Sequence, residues 1–305
     1  MKSRTILAAF AALTLALACF PAAAQVLYAT SVRSFASGGS DKVVGSIYTI
    51  NLANATATLV APIRLRGESA VGITGIADHP TTGVLYGITS ALSPVHPRSL
   101  VSINPANGDA ELIGPLNVAG SDIAFDSHGT LFMWISATSQ IATVDLSNAT
   151  VHPIGSPGPA GTAGGIAIDA KGSAYVTPAG AAGLLDKIDT RTGALTPGPP
   201  LTGAPFPSGI SAMTFTPSGL LLALNSNVGS PASVRLVAIN TSTGVVSSIG
   251  SLPEDTDSIA FAASGTHDIR AALATMSGRT LALFSLILGL VLALAGVALF
   301  KLLRR

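Results

Sequence analysis

Short apolar stretches alternate with polar turns at regular intervals along this chain. Each turn couples the end of an apolar stretch to an Asn or Asp and, four residues later, to a Gly or Ala. The first residues of these turns are Asn51, Asn104, Asp145, Asp189 and Asn240. Asn and Asp side chains bond to the backbone ahead of them, and Gly accepts a positive φ, so each unit predicts a tight hairpin turn. Five such turns indicate five copies of one module.

A second landmark precedes most of these turns: an apolar stretch of the Ile-Ala-Phe type, followed by a polar turn that contains glycine. The anchoring residues Gly83, Gly129, Gly172 and Gly219 are spaced by 46, 43 and 47 residues. A period of about 40–50 residues with four short strands, here called a to d, is typical of a β-propeller blade. Apolar residues on both sides of each strand predict burial of both faces, as between neighbouring blades.

The two ends of the repeat region are incomplete in complementary ways. A further strand a begins at Ser258, but strands b, c and d do not follow it. The stretch Val26-Leu27-Tyr28 reads as a strand b with no strand a before it. We therefore predict an all-β fold, a five-bladed β-propeller over residues 25–265, closed by a blade that both ends share. Closure removes exposed sheet edges.

The repeat phrases, such as Ile123-Ala124-Phe125-Asp126 and Ile188-Asp189, resemble those of secreted propellers of the NHL and YVTN type. The resemblance spans residues 26–265 and implies the propeller fold. Propellers of this kind include both binding proteins and enzymes, so the resemblance implies no particular activity.

Both ends of the chain carry export and membrane features. Residues 1–24 hold two basic residues, a short apolar run and then small residues, which predicts a cleaved signal peptide. Residues 281–300 contain no charge and precede a basic segment, 301–305, which predicts a transmembrane helix with a cytoplasmic tail. Residues 266–280 are then a stem or linker. These features place the propeller outside the cytoplasm, in the periplasm or at the cell surface.

The C-terminal segment also resembles a bacterial sorting tail. Thr280-Leu281, Leu294-Ala295-Gly296 and the final Arg304-Arg305 are similar to the short motif, apolar helix and arginine cluster of the IPTL-CTERM type. This resemblance implies a sorting signal attached to the membrane anchor.

Composition narrows the possible chemistry. Residues 25–278 carry ten Lys or Arg and fifteen Asp or Glu, without a basic cluster, which argues against nucleic acid as a partner. Cys19 is the single cysteine and lies in the predicted signal peptide. Disulfides, thiolate zinc sites and cysteine nucleophiles are therefore excluded from the mature chain.

The loop lengths predict which face of the ring binds a ligand. The a–b and c–d turns are short, whereas the b–c and d–a connections, which share the other face, are long and irregular. Variable loops held by a rigid scaffold usually carry the binding residues. The candidate binding residues on this loop face are Arg64, Arg66, Glu68, His96, Arg98, Asp255 and Asp257.

Two chemistries are open for these residues. Arg64, Arg66 and Glu68 on one loop could bind an anionic sugar or a carboxylate. Asp255 and Asp257, with Glu254, could bind Ca²⁺ near the central channel, because hard cations take oxygen ligands. Ordinary solvated loop charges are the alternative for the arginine loop, and a polar approach to a strand is the alternative for the three acids. Another acid, Asp78, stands where other blades have Ile or Phe, and we expect a local shift around its longer turn to explain it.

The sequence leaves two classes of function. The first is a membrane- or surface-anchored binding module, for adhesion or scaffolding, with a protein or carbohydrate ligand. The alternative is an exported propeller hydrolase or lyase, similar to a lactonase, with a divalent metal in the channel. Such metal sites need converging side chains, yet the chain has three glutamates, Glu68, Glu111 and Glu254. The binding module is favoured, and we predict no catalytic residues and no definite metal ligands.

Overall fold

The computed structural model describes residues 25–32, 45–65, 71–91, 93, 95–159, 164–178, 183–206, 209–227 and 233–263. Apart from one 3₁₀ turn at Ser136–Thr138, the regular elements of this part are strands. In chain order they are β1 (Gln25–Ser31), β2 (Ser46–Ile50), β3 (Ala57–Pro62), β4 (Arg64–Leu65), β5 (Ile73–Asp78), β6 (Leu85–Thr89), β7 (Ser99–Ile103), β8 (Asp109–Pro115), β9 (Asp122–Phe125), β10 (Leu131–Ile135), β11 (Gln140–Val144), β12 (Val151–Ile154), β13 (Ile166–Ile168), β14 (Ala174–Val176), β15 (Asp186–Ile188), β16 (Leu195–Thr196), β17 (Ile210–Phe215), β18 (Leu221–Asn227), β19 (Ser233–Ile239), β20 (Val246–Leu252) and β21 (Thr256–Ala263).

These strands form five antiparallel blades, which confirms the predicted five-bladed propeller arrangement. Blade 1 has the order β21-β1-β2-β3, blade 2 has β5 to β8, blade 3 has β9 to β12, blade 4 has β13 to β16 and blade 5 has β17 to β20. Strand a is the inner strand of each blade. Blade 2 carries an additional outer strand, because β4 pairs in parallel with the start of β8.

The shared blade is confirmed. β21 pairs with β1 from Gln25↔Ala263 to Ser31↔Thr256, with one irregularity near Thr30. β21 also reaches the inner strand of blade 2, where the Ile76 N–H donates to Ser258 Oγ over 2.6 Å. The two ends of the described chain therefore complete one blade and help to hold the next.

The repeated c–d turns form as the sequence predicts. In the turn that starts at Asp189, Oδ1 accepts the Arg191 N–H over 2.8 Å, and the Asp189 carbonyl accepts the Gly193 N–H over 2.8 Å. The other four turns repeat both bonds. The fifth residue of every turn has a positive φ, including Ala55 and Ala149, where alanine adopts it. The turn is therefore specified by its Asn or Asp more than by the glycine.

The hydrophobic core lies between the blades. Five clusters of buried side chains each join two neighbouring blades around the ring. Trp134 on β10 is fully buried and belongs to the cluster that joins blades 3 and 4. The inner strands of the blades are thus largely buried on both faces, as their apolar pattern predicts, whereas the outer strands β3, β12 and β16 contain no buried residue.

Within the described residues, no helix has the length and apolar character needed to cross a membrane. The predicted signal peptide (1–24), stem (266–280), transmembrane helix (281–300) and basic tail (301–305) lie outside those residues.

Candidate functional site

A buried carboxyl group occupies the axis of the ring. Asp122 begins β9 and is fully buried. Its Oδ2 accepts the Ile166 N–H over 3.0 Å and the Met213 N–H over 3.1 Å, while Oδ1 accepts the Ile123 N–H over 3.0 Å. Because these donors lie on the inner strands of blades 3, 4 and 5, one side chain ties three blades together.

Burial dominates the electrostatics of this group. Desolvation raises the pKa of Asp122 well above its ordinary value, although the three N–H donors lower it in part, and the nearby Asp257 carboxyl raises it further. Sequence reasoning missed Asp122. The available signal was its position: it aligns with small residues on the other inner strands, at Gly75, Gly165, Ala212 and Ser258.

The acids predicted near the channel take different positions. Asp257 lies half-buried on β21, and Thr74 Oγ1 donates to its Oδ2 over 2.6 Å. Burial raises the pKa of Asp257 to about 7. Asp255 precedes the strand with a φ of 60°, and Glu254 is exposed. Across the described part of the chain, no three His, Cys, Asp or Glu side chains group closely enough to hold a metal ion. Calcium binding stays a prediction.

Arg64 and Arg98, two of the predicted binding residues, lie far apart. Arg64 lies in β4 rather than in a loop, and its N–H donates to the Gly108 carbonyl beside the start of β8. The Arg98 carbonyl instead accepts the Leu116 N–H, just beyond the end of β8. The seven residues of β8 separate these points by roughly 20 Å. The cause is β4, which carries Arg64 to the outer rim. Arg66 and Glu68 lie outside the described residues.

Arg98 lines a cavity on the predicted loop face. His96 and Arg98 lie in the b–c connection of blade 2, and both are exposed with positive φ values of 44° and 54°. Thr89 anchors this segment, since its Oγ1 donates to the His96 carbonyl and accepts the Ser99 N–H. A cavity of about 340 Å³ is lined by Arg98 and by Ala91, Pro97, Pro115 and Asn117.

A second cavity, of about 330 Å³, opens at the channel mouth on the opposite face. Inner strands of all five blades line it. At the rim, each inner strand contributes one residue that pairs with a residue near the start of strand b. The partner is the third residue of strand b in blade 1 and the first residue in the other four blades. These residues are Asp78, Phe125, Ile168, Phe215 and Phe261. Four apolar side chains and one carboxyl group therefore surround the mouth.

The expectation of a local shift at Asp78 is wrong. Asp78 pairs with Leu85 as Phe125 pairs with Leu131 in the next blade. The longer turn is absorbed by His79, whose Nδ1 accepts the N–H groups of Thr81 and Thr82 over 3.3 Å each. Asp78 thus takes the position that Phe or Ile takes in the other blades, without a shift in register.

The Asp78 carboxyl is poorly satisfied in this position. Its Oδ1 is buried and has no hydrogen-bond partner among the described residues. Burial raises the pKa of Asp78 to about 7. A half-buried carboxyl group without a partner, beside an open cavity, is a common feature of ligand sites.

Comparisons with known proteins give a likeness in fold. No family model matches this sequence, and no curated protein matches it. Among solved structures, a chain from the crystal structure of a nidogen/laminin complex matches with a TM-score of 0.50 and 13% identity, covering 78% of this chain and 98% of that one. At this identity the similarity shows the fold alone. The described part of the chain is therefore an all-β, five-bladed propeller-like arrangement, and its fold is similar to that of a solved structure.

Proposed function

We propose that this protein is an exported, membrane- or surface-anchored β-propeller that acts as a binding module through its b–c/d–a loop face. The observation that carries this proposal is the environment of Arg98. This residue lines the cavity on that face, and none of the described residues forms a hydrogen bond or ion pair with its guanidinium group.

The backbone around Arg98 supports a binding role. His96, Arg98 and Asn117 all have positive φ, although none is glycine, and Arg98 and Asn117 line the same cavity. Such conformations are unfavourable for most side chains and concentrate at functional sites. Thr89 holds this segment from the scaffold side, so the guanidinium is presented by a fixed loop end.

Arg98 favours a ligand with a carboxylate group. A guanidinium offers several N–H donors in a planar arrangement that matches a carboxylate, and such charge-assisted pairs are among the stronger hydrogen bonds. Acidic protein side chains and uronic acid sugars both supply this group. The solved chain of similar fold comes from a nidogen/laminin complex, so protein ligands are tested beside carbohydrates.

The state of the channel favours binding over the metal-dependent hydrolase or lyase. That alternative needs carboxylate oxygens that face a metal within the channel. Both oxygens of Asp122 instead accept backbone N–H groups, and Asp257 accepts the Thr74 hydroxyl. Asp122 and Asp257 are thus engaged in contacts between blades.

One variant and two control variants test the proposal. Wild-type protein is screened on a glycan array and against acidic protein ligands, and a ligand found there is titrated against R98A, K171A and R191A. R98A should lose about 1–3 kcal/mol of binding while its free energy of unfolding changes by no more than about 0.5 kcal/mol. Lys171 and Arg191 are exposed on the short turns of the opposite face, so K171A and R191A should bind normally. Equal binding by R98A would contradict the assigned face.

A further inference from the structure

The channel mouth opens on the face of the a–b turns, and Asp122 lies below it. Ile123 and Met213 line the mouth, and their N–H groups bond to the Asp122 carboxyl, which lies one residue deeper along β9. The Asp122 contacts hold three inner strands together below the cavity. We expect a ligand that enters from the a–b face to stop above Asp122.

The walls of this cavity are apolar. Phe125, Ile168, Phe215 and Phe261 take equivalent positions on four inner strands. Two of these rings are fixed by neighbours on the preceding blade: Phe125 packs against Tyr86 at 5.5 Å, and Phe215 packs against Tyr175 at 5.7 Å between ring centroids. The rim thus offers a preformed apolar collar.

The charged side chains that line the mouth all have one sign. Asp78, Asp126 and Asp169 line the cavity, and no Lys or Arg is among the described residues that do so. Asp126 and Asp169 are engaged, since their Oδ1 atoms accept N–H groups within their own turns. Asp78 differs because neither of its oxygens bonds to a described residue and one of them is buried.

A carboxyl group in such surroundings costs free energy unless a partner offsets its lost hydration. An apolar residue in this position, as in the other blades, would carry no such cost. An organic ammonium ion supplies the missing partner, since it offers both hydrogen-bond donors and positive charge, and its apolar body matches the collar. The cavity volume of about 330 Å³ suits a small ligand.

We propose that the channel mouth on the a–b face is a second binding site, and that it takes a small organic ammonium ion whose cationic group pairs with Asp78 and whose apolar body lies inside the collar. This site is separate from the Arg98 cavity on the opposite face and has the opposite charge preference.

The test uses three ligands of similar shape and different charge, titrated by NMR into the purified full chain at pH 8: 2-phenylethylammonium, 2-phenylethanol and 3-phenylpropionate. The ammonium ligand should bind most tightly and 3-phenylpropionate least. D78N should weaken ammonium binding by roughly tenfold to a hundredfold and leave 2-phenylethanol unchanged. D78F, which places in blade 2 the phenylalanine that three of the other blades have at this position, should abolish ammonium binding while preserving the fold.

E111Q and R98A are the controls. Glu111 is an exposed acid on β8, away from the mouth, so E111Q removes the same charge without touching the site. Both controls should bind the ammonium ligand as the wild type does. The site is disproved if wild-type protein binds no ammonium ligand, if D78N binds it as tightly as wild type, or if 3-phenylpropionate binds as well. None of these results bears on the Arg98 face.

Discussion

Replacing Asp122 with alanine should weaken the whole ring, because the substitution removes the acceptor for N–H groups on three inner strands. The Ile166 and Met213 donors belong to blades 4 and 5, and they bond to the same oxygen. The Ile123 donor belongs to blade 3 itself. Alanine leaves all three N–H groups buried at the axis.

The magnitude follows from two opposing effects. A buried donor left without a partner costs about 1–3 kcal/mol. The Ile166 and Met213 N–H groups alone should therefore lower the free energy of unfolding of D122A by about 2–6 kcal/mol. Against this, the variant no longer buries a carboxyl group. That relief depends on pH, because burial raises the pKa of Asp122 well above the model-compound value of 3.8.

The sign of the pH effect is determined by proton binding. Between the unfolded and the folded pKa, the folded wild type holds a proton that the unfolded chain has lost, so its stability falls by about 1.4 kcal/mol per pH unit through that window. D122A lacks this slope. The loss of stability of D122A relative to the wild type should therefore be largest near pH 4, where it measures the lost hydrogen bonds. This difference should become smaller as the pH rises.

Urea unfolding of the wild type and D122A at pH 4, 6 and 8 measures this difference. D122N provides a variant of nearly the same volume, and it should also be destabilised at pH 4, because its amide oxygen can replace only one of the two accepting carboxyl oxygens and its amide nitrogen accepts no hydrogen bond. If D122A is as stable as the wild type at pH 4, Asp122 does not hold the blades. If the deficit grows with pH, the pKa of Asp122 is not raised.

Three other measurements address the ring closure, the mouth and the tail. S258A should lower the free energy of unfolding, measured in urea, by about 1–3 kcal/mol, because it leaves the Ile76 N–H without an acceptor. F261A should lower it by about 3–5 kcal/mol, because Phe261 belongs to the core that joins blades 5 and 1. Wild-type stability in both variants would refute the shared blade. The stability of the wild type should fall as the pH rises from 4 to about 7, where the pKa of Asp78 lies. D78N should remove part of this fall. Parallel stability profiles of wild type and D78N against pH would contradict the raised pKa. Residues 266–305 fused to a periplasmic reporter should retain it in the membrane fraction, and a soluble reporter that still carries the tail would overturn the predicted anchor.

The blade count and the closure are predictable because they depend on local chemistry that repeats. The turn at Asn104 needs a side-chain acceptor and a positive φ four residues later, and both are visible in the sequence. The shared blade follows from counting the predicted strands. The last strand a, which starts after Asp257, is not followed by a strand b, and the first strand b, which starts at Val26, is not preceded by a strand a. Neither inference needs long-range geometry.

The candidate sites are less predictable because they depend on contacts between blades. The sequence pattern predicts a loop at Arg64, yet the segment continues as β4 along the neighbouring blade. Asp78 reads as a displaced turn residue until its pairing with Leu85 shows an aromatic position. The sequence alone does not reveal that the Asp122 carboxyl reaches blades 4 and 5, since its donors lie 44 and 91 residues away.

The positions of Asp122 and Ser258 have a common explanation in backbone hydrogen bonding. An inner strand pairs with strand b on one edge only, so N–H groups on its other edge face the axis and need acceptors. Ile76, Ile123, Ile166 and Met213 take equivalent positions in four blades, and each donates its N–H to Ser258 or Asp122. The aligned Gly75, Gly165 and Ala212 carry no acceptor, and their small size leaves room for the two that do. One buried carboxyl group with a raised pKa is thus retained because it satisfies three donors that crowding at the axis leaves without other partners.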